Sequence, residues 1–341
     1  MTTPTGPETL GKLLRAGRDR LEAAGIEDAS IEAELLMRQA LRRPDAPLPA
    51  KAWLLPRLGQ AARDAIQDSF GVLVSRRLQH EPSAYITGVR EFYELDFEVS
   101  PDVLIPRPET ELLVEKALEW AHGRSPRPST FPGPSEATRR RMQQSTRTKH
   151  DPLLIVDVGT GSGAIAVALA RSLPAATIIA TDLSWQALAV ARRNAKRHHV
   201  DGRIAFRHGH LLTPVDSYVD LIVANLPYIP ADVVPRLAPE VVDHEPSLAL
   251  VGGQDGLDPI RALLQQTPSY LKPESAICLE FAIGQEDALV QEMRGRLPGT
   301  DIQVFDDFAG IPRVLVACLH NGSPPFGLHS EAARPVTYRL S

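Results

Sequence analysis

The chain has 341 residues, 43% of them hydrophobic and 23% charged, with a formal net charge of −5. That length exceeds one ordinary domain, the apolar share suffices for buried cores, and the negative balance disfavours a protein that clamps nucleic acid along its whole surface. Cys278 and Cys318 are the only cysteines, too few for a disulfide framework or a cysteine-rich zinc site, which suits a reducing compartment.

The N-terminal "MTTPTGPETLGKLL" lacks the basic-then-apolar pattern of a signal peptide. No apolar run reaches the roughly 18 residues of a spanning helix. A soluble, cytoplasmic protein is expected. Residues 1–80 predict a small helical domain: Leu10, Leu13, Leu14 and Leu21 recur at helical spacing and stop at Gly25. "SIEAELLMRQAL" opens on a serine followed by acidic residues, a helix-start signal, and a third helix is expected over roughly 57–79. In 81–122, aromatic and β-branched residues alternate around Gly88 and predict a β-hairpin, followed by a helix that begins with Glu109, Thr110 and Glu111. Residues 123–150, rich in Pro, Ser, Thr and Arg, read as a flexible insertion.

From 151 to 320, strands and helices alternate. Strands are expected near 153–158, 177–182, 203–208, 219–224, 275–282, 302–306 and 312–319. Helices are expected at 163–173, 185–197, 232–237, 257–271 and 285–296. The alternation implies an α/β fold with a mostly parallel sheet covered on both faces. The 321–341 tail carries little pattern.

"LLIVDVGTGSGAIAVALA" is a strand, a glycine turn and a helix. Gly159, Gly161 and Gly163 bare the backbone at the carboxyl edge of the sheet, beside helix N–H groups. Asp182 ends the next strand about 20 residues on, where a carboxylate accepts ribose hydroxyls. Gly159-x-Gly161-x-x-Ala164 leaves a methyl donor, a dinucleotide and purely structural glycines all open. Asp157, just before the first glycine, tips the balance. It would attract the ammonium of an amino-acid tail and repel a pyrophosphate, so S-adenosylmethionine is the expected cofactor.

"LIVANLPYIP" carries the second signal. A strand expected beside the first one ends on Asn225, whose side-chain oxygen accepts hydrogen bonds. Pro227 holds Leu226 extended, so that the Leu226 carbonyl becomes a second acceptor. Tyr228 offers a flat face. Two acceptors and a platform suit a planar –NH2 group held in line with a methyl. The bland alternative is a proline-closed strand end with Tyr228 in the core.

With these residues in view, the chain resembles the HemK-type glutamine N5-methyltransferases of peptide chain release factors. The resemblance runs from about residue 8 to 319 outside the insertion. "EPSAYITGVREFYELDFEVSPDVLIPRPETELLVEKAL" is its most specific segment, followed in family order by "DVGTGSGAIAVALA", "ANLPYIP", "HEPSLALVGGQDGLDPI" and "DFAGIPRV". The resemblance implies a seven-stranded class I (Rossmann-like) S-adenosylmethionine-dependent methyltransferase domain. A helical domain that docks the protein substrate would precede it. The methyl acceptor would be the glutamine of a Gly-Gly-Gln loop in release factors.

Carried over by position, the cofactor loop falls on Gly159, Thr160, Gly161, Ser162 and Gly163, and the ribose acid on Asp182. The catalytic and substrate-binding tetrapeptide falls on Asn225, Leu226, Pro227 and Tyr228. Arg107 and Glu109 lie in a segment implied to shape the active-site wall, with a structural salt bridge as the plain alternative. Two departures stand out. Leu226 occupies a usual proline position, giving "NLPY", which also resembles ribosomal RNA adenine dimethyltransferases. His210 and Leu211 stand where an acidic and then an aromatic residue are common near the adenine.

Glu245 and Glu280 end segments near the same edge. "VGGQDG" repeats the substrate tripeptide around Gln254, which reads as coincidence. His80, His198 and His199 show no metal-ligand spacing, and no metal is expected. Neither a membrane nor a direct nucleic-acid partner is expected, and the oligomeric state stays open, with a monomer the first expectation. The competing readings are an adenine N6-methyltransferase on DNA or RNA, a glutamine methyltransferase on a ribosomal protein, an inactive nucleotide-binding module, and a nicotinamide oxidoreductase.

Overall fold

Leucines and small residues at helical spacing close the first unit. In the computed structural model, which describes residues 8–44, 46–123 and 152–319, this unit comprises α1 (Leu10–Ala23), α2 (Ala29–Ala40), α3 (Lys51–Leu54), α4 (Asp64–Arg77) and α5 (Ser83–Thr87). They share a core of Leu21, Leu36, Met37, Leu54, Phe70 and Val74. The Thr9 side chain caps α1 by accepting from the Lys12 N–H, and Gly25, at φ 74°, follows its end as expected. The start of α2 differs from the sequence reading. The helix opens at Ala29 behind Asp28 at φ 52°, without a side-chain cap. Glu32 is drawn instead to Arg77. The third helix starts seven residues late because the chain before it pairs with the N-terminus through Leu58, Gln60 and Ala62.

The hairpin also differs. Residues 83–87 form α5, and Gly88 (φ 74°) is its left-handed cap rather than the hairpin turn. β1 (Val89–Phe92) and β2 (Leu95–Glu98) are joined by Tyr93 and Glu94, both at positive φ, the backbone of a two-residue hairpin turn. Neither residue is a typical turn former, which is why Gly88 misled the reading. α6 (Thr110–Gly123) receives the hairpin: the Tyr93 N–H donates to Glu111 over 2.8 Å. The predicted insertion after it and the tail at 321–341 lie outside the described residues.

The remaining elements are β3 (Leu154–Val158), α7 (Ala164–Ser172), β4 (Thr177–Asp182), α8 (Trp185–Arg197), β5 (Ile204–His208), β6 (Val219–Ala224), α9 (Pro239–Val242), α10 (Asp258–Gln266), β7 (Leu271–Glu280), α11 (Glu286–Arg296), β8 (Asp301–Asp306) and β9 (Pro312–Cys318). Seven strands form one sheet in the order β5-β4-β3-β6-β7-β9-β8. β9 alone runs opposite to the other six strands. Each face carries its own core. α6 and α7 cover Ile155, Leu221 and Val223, while α10 and α11 cover Val156, Ile222 and Ile277. Because consecutive side chains of the central strands are buried on both faces, these strands read as continuous apolar runs. The expected helix at 232–237 is only a short 3-10 turn, Val234–Arg236, with α9 beyond it. Pro230, Pro235 and Pro239 remove donors there and break any longer helix.

Strand order reverses beside β3, so the carboxyl ends of β3, β4 and β6 open a crevice, where doubly wound folds bind ligands.

Candidate active site

The crevice holds a cavity of about 420 Å³. Gly159, Gly161, Asp182, His210, Leu211 and Asn225 are among its walls. The glycine turn is held rigidly under it. The N–H groups of Gly159 and Thr160 both donate to the Thr181 carbonyl, and the Gly163 N–H to the Thr160 carbonyl. The Gly161 N–H donates to Asp182 Oδ2 over 2.9 Å, while Asp182 Oδ1 accepts from the Ser184 N–H. Burial raises the Asp182 carboxyl above its ordinary pKa, and these backbone donors oppose the rise. A side chain at Gly163 would come within 3.0 Å of Ala191, so this glycine lets α8 pack close, whereas Gly161 faces open space.

Three of the expected loop residues, and Asp157 in β3 before them, do not reach the cavity. Gly163 is taken up by the α8 contact. Thr160 and Ser162 are buried; the Thr160 hydroxyl bonds Asp157, and the Ser162 carbonyl accepts from Asn194. Asp157 is wholly buried and absent from the walls, so the structure corrects the expectation that it faces an ammonium group. Its Oδ2 accepts from the Thr160 hydroxyl (2.6 Å) and the Ala166 N–H (3.1 Å), tying the turn to α7 from beneath. Burial pushes its pKa up to about 7, and these two donors pull against that rise.

A strap from Ser100 to Glu109 closes another side. Asp102, Val103 and Leu104 line the cavity. The Tyr85 hydroxyl holds the strap by donating to the Val103 carbonyl over 2.6 Å, and buried Glu245 accepts from the Ile105 N–H and from Arg107. Arg107 is therefore both a salt-bridge partner and a wall residue of a second cavity. Glu109 is exposed and lines neither cavity, so the wall role expected of it falls to Arg107 alone.

The second cavity, about 200 Å³, is bounded by Arg107, Tyr228, Leu237 and Val241. Asn225 and Leu226 line both cavities and form the partition between them. Asn225 is oriented by Thr110, whose hydroxyl oxygen accepts from Nδ2 over 3.0 Å. That leaves the Asn225 side-chain oxygen as an acceptor. Neither this oxygen nor the Leu226 carbonyl is hydrogen-bonded among the described residues. The Leu226 side chain is buried against Gly159, where an added Cβ would meet it at 3.0 Å. The departure from proline thus packs the tetrapeptide onto the glycine turn.

Tyr228 is half-buried rather than a core residue, and its hydroxyl donates to Glu280 Oε1 over 3.1 Å. Burial and the adjacent Glu280 raise the Tyr228 pKa, so the phenol stays protonated and donates. Glu280 is itself buried. Desolvation pushes its carboxyl up to about 7, opposed by the hydroxyls of Thr110 and Tyr228. One carboxyl therefore sits behind both the Asn225 orienter and the stacking ring. The sequence reading noted Glu280 only as lying near the edge and missed Thr110. The signal was Thr110's place at the opening of the helix after "IPRPE".

"VGGQDG" has a structural task. A Cβ at Gly252 would lie 2.7 Å from the Pro227 carbonyl, and one at Gly256 would lie 2.1 Å from the Tyr228 carbonyl. The loop wraps the tetrapeptide, with Ile229 and Ala231 donating to the carbonyls of Leu250 and Gly253. Gln285 also donates to the Tyr228 carbonyl, over 3.0 Å. Gln254 is exposed outside this contact. His198 is half-buried against Phe97 and bonds the Asp96 carbonyl. Among the described residues, no helix is long and apolar enough to cross a membrane.

Known proteins resemble this chain over most of its length. The model of the PrmC N-terminal domain matches residues 12–88, and that of ribosomal protein L11 methyltransferase (PrmA) matches residues 135–250. The release factor glutamine methyltransferase of Geobacter sulfurreducens is 37% identical over 308 residues, covering 90% of this chain and 95% of that protein. A bifunctional methyltransferase of Rickettsia felis is 33% identical over 336 residues, 98% of this chain but only 61% of that longer protein. Among solved structures, the hMettl16 catalytic domain in complex with the MAT2A 3′UTR hairpin 6 superposes with a TM-score of 0.51 at 14% identity, over 70% of this chain and 81% of that one. This last likeness concerns the fold alone. Identity of 37% to the Geobacter protein over nearly the full length of both chains, together with the matching N-terminal domain, assigns the chain to the release factor glutamine methyltransferase family.

Proposed function

We propose that the chain transfers a methyl group from S-adenosylmethionine to the side-chain amide nitrogen of the glutamine in the Gly-Gly-Gln loop of peptide chain release factors. The observation that carries this reading is the position of Asn225 and Leu226 in the partition between the cavities, each with a free acceptor oxygen.

The larger cavity suits the cofactor. Its volume falls within the about 300–1,000 Å³ of small-molecule sites. Gly161 leaves open space at the turn, and Asp182 presents a carboxylate to the ribose hydroxyls. Leu211, with His210 beside it, gives the adenine an apolar surface. When bound, S-adenosylmethionine supplies a sulfonium-activated methyl and departs as a neutral thioether. Asp157 supports the turn from behind, and so acts on the cofactor only through Thr160 and α7.

The smaller cavity, below the usual range for small-molecule ligands, suits one side-chain carboxamide. Asn225 Oδ1 and the Leu226 carbonyl would accept its two N–H bonds. Tyr228 would stack on its plane. Held in that way, the nitrogen points through the partition. The C–N bond would form as the S–C bond breaks, with one amide proton passing to solvent. Fixed acceptors stabilise the positive charge developing on nitrogen, and no strong base is needed. A translation factor as substrate agrees with action in the cytoplasm.

Mass spectrometry of a release factor's Gly-Gly-Gln peptide after reaction tests the proposal. One added methyl on the glutamine is expected. Methyl label found only in nucleic acid, or only in a ribosomal protein, would overturn it.

A further inference from the structure

We propose that Phe308 is an anchor for the protein substrate on the rim of the active site. This rests on the function proposed above and adds where the release factor touches this chain outside the glutamine pocket.

Phe308 is completely exposed, at 106% of its reference surface. It sits on the turn between β8 and β9, and that turn is stiff. Asp307 Oδ1 accepts from the N–H groups of Ala309 (2.9 Å) and Ile311 (3.0 Å), and Asp307 Oδ2 accepts from Arg313 Nε over 3.1 Å. The Asp307 N–H donates to the Ile311 carbonyl, and Gly310 at φ 75° completes the turn. Everything that shapes the turn comes from Asp307, Gly310 and Arg313. None of it needs an aromatic ring at 308. A lone exposed apolar residue is ordinary. A bare ring on a pre-ordered turn is a different matter, because covering it costs little entropy.

The position of the turn identifies what would cover it. β9 is antiparallel to β7, with Val314 opposite Glu280, so the start of β9 lies at the same sheet edge as the end of β7. The Phe281 N–H donates to the Arg313 carbonyl over 3.0 Å. The residue that fastens the Phe308 turn therefore neighbours Glu280, which in turn holds the Tyr228 hydroxyl. Ile283, three residues past the end of β7 and also exposed, adds apolar surface at that edge. A protein that inserts a glutamine beside Tyr228 has to lay its flanking surface over this edge. Aromatic anchors close to such an insertion point carry much of the energy of protein contacts. The occupant is thus the body of the release factor next to its Gly-Gly-Gln loop.

The test uses the full chain with Phe308→Ser, and Phe308→Trp as the conservative control. Phe308 makes no packing contact, so the serine variant should fold as the parent does. With intact release factor, Phe308→Ser is expected to raise KM about tenfold with kcat unchanged, and Phe308→Trp to restore KM. S-adenosylhomocysteine affinity should stay constant, as should the rate on a minimal Gly-Gly-Gln peptide. An unchanged KM for intact release factor in Phe308→Ser, with the parent fully active, overturns the anchor and leaves the function standing. A parent chain that methylates no release factor overturns both.

Discussion

Tyr228 and buried Glu280 form a hydrogen-bonded pair behind the site: the Tyr228 hydroxyl donates to Glu280 Oε1 over 3.1 Å, while the Thr110 hydroxyl that accepts from Asn225 opposes the rise in the same carboxyl's pKa. Burial holds the Glu280 pKa up to about 7, well above its ordinary 4.5. The folded state therefore keeps a proton that the unfolded chain gives up near 4.5. Stability from this group is fully present below that value and is lost as pH rises toward 7. Glu280→Gln cannot ionise and should escape that loss. Urea midpoints of variant and parent should thus diverge in the variant's favour between pH 5 and 7, then run parallel. A constant difference across the range would contradict the buried, proton-holding carboxyl.

Asn225→Ala removes the oxygen proposed to align the substrate nitrogen. Turnover should fall by about 10²-fold or more while S-adenosylhomocysteine affinity is nearly unchanged. Thr110→Val should behave as a weaker copy of it, with a loss of roughly tenfold, because Asn225 keeps its oxygen but loses the hydroxyl that fixes its orientation. Single-turnover rates alongside equilibrium binding separate the two effects. A large loss of cofactor affinity with normal turnover at saturation would remove Asn225 from the reaction.

Much of this was legible in the sequence, for physical reasons that differ from part to part. The central strands announced themselves because both faces of Ile155, Val156, Leu221 and Ile222 are covered. Gly159, Asp182 and Asn225 were findable because each ends or follows such a strand at the ligand-bearing edge. Asp157 misled because charge alone does not say which way a side chain points: its carboxyl faces the underside of the turn. Thr110 and Glu280 were hard to assign because their roles come from β7 and α6 meeting across more than 160 residues of sequence, with no local pattern to record it. Gly88 read as a hairpin turn because the actual turn, Tyr93–Glu94, carries two non-glycine residues at positive φ.

The glycines of "VGGQDG" and its glutamine should respond oppositely to substitution. Gly256 sits at φ 82°, and a Cβ there would strike the Tyr228 carbonyl at 2.1 Å and Gln285 at 2.4 Å. Gly256→Ala should displace the tetrapeptide, lowering the thermal midpoint and cutting turnover on release factor by at least about tenfold. Gln254→Ala touches an exposed side chain and should leave both unchanged. Intact mass after incubation with S-adenosylmethionine alone should show no added methyl on the parent chain. A methyl that disappears with Gln254→Ala would instead make Gln254 a substrate.

Asp182 divides its carboxylate between the structure and the proposed ribose. Each oxygen already accepts a backbone N–H, from Gly161 and from Ser184, which aims the group into the larger cavity. Asp182→Ala removes the ribose acceptor and also releases the Gly161 N–H, so the glycine turn loosens with it. Cofactor affinity should fall by about tenfold or more, since losing a charged acceptor costs roughly 1.5–3 kcal/mol. Asp182→Asn keeps an acceptor for Gly161 and should lose less. Because the partition at Asn225 and Leu226 is held from Thr110 and from Gly159 rather than from Asp182, kcat at saturating cofactor should change little. Calorimetric titration with S-adenosylhomocysteine and kcat at several cofactor concentrations give the two numbers. Normal affinity in Asp182→Ala would mean that the larger cavity holds its ribose somewhere else.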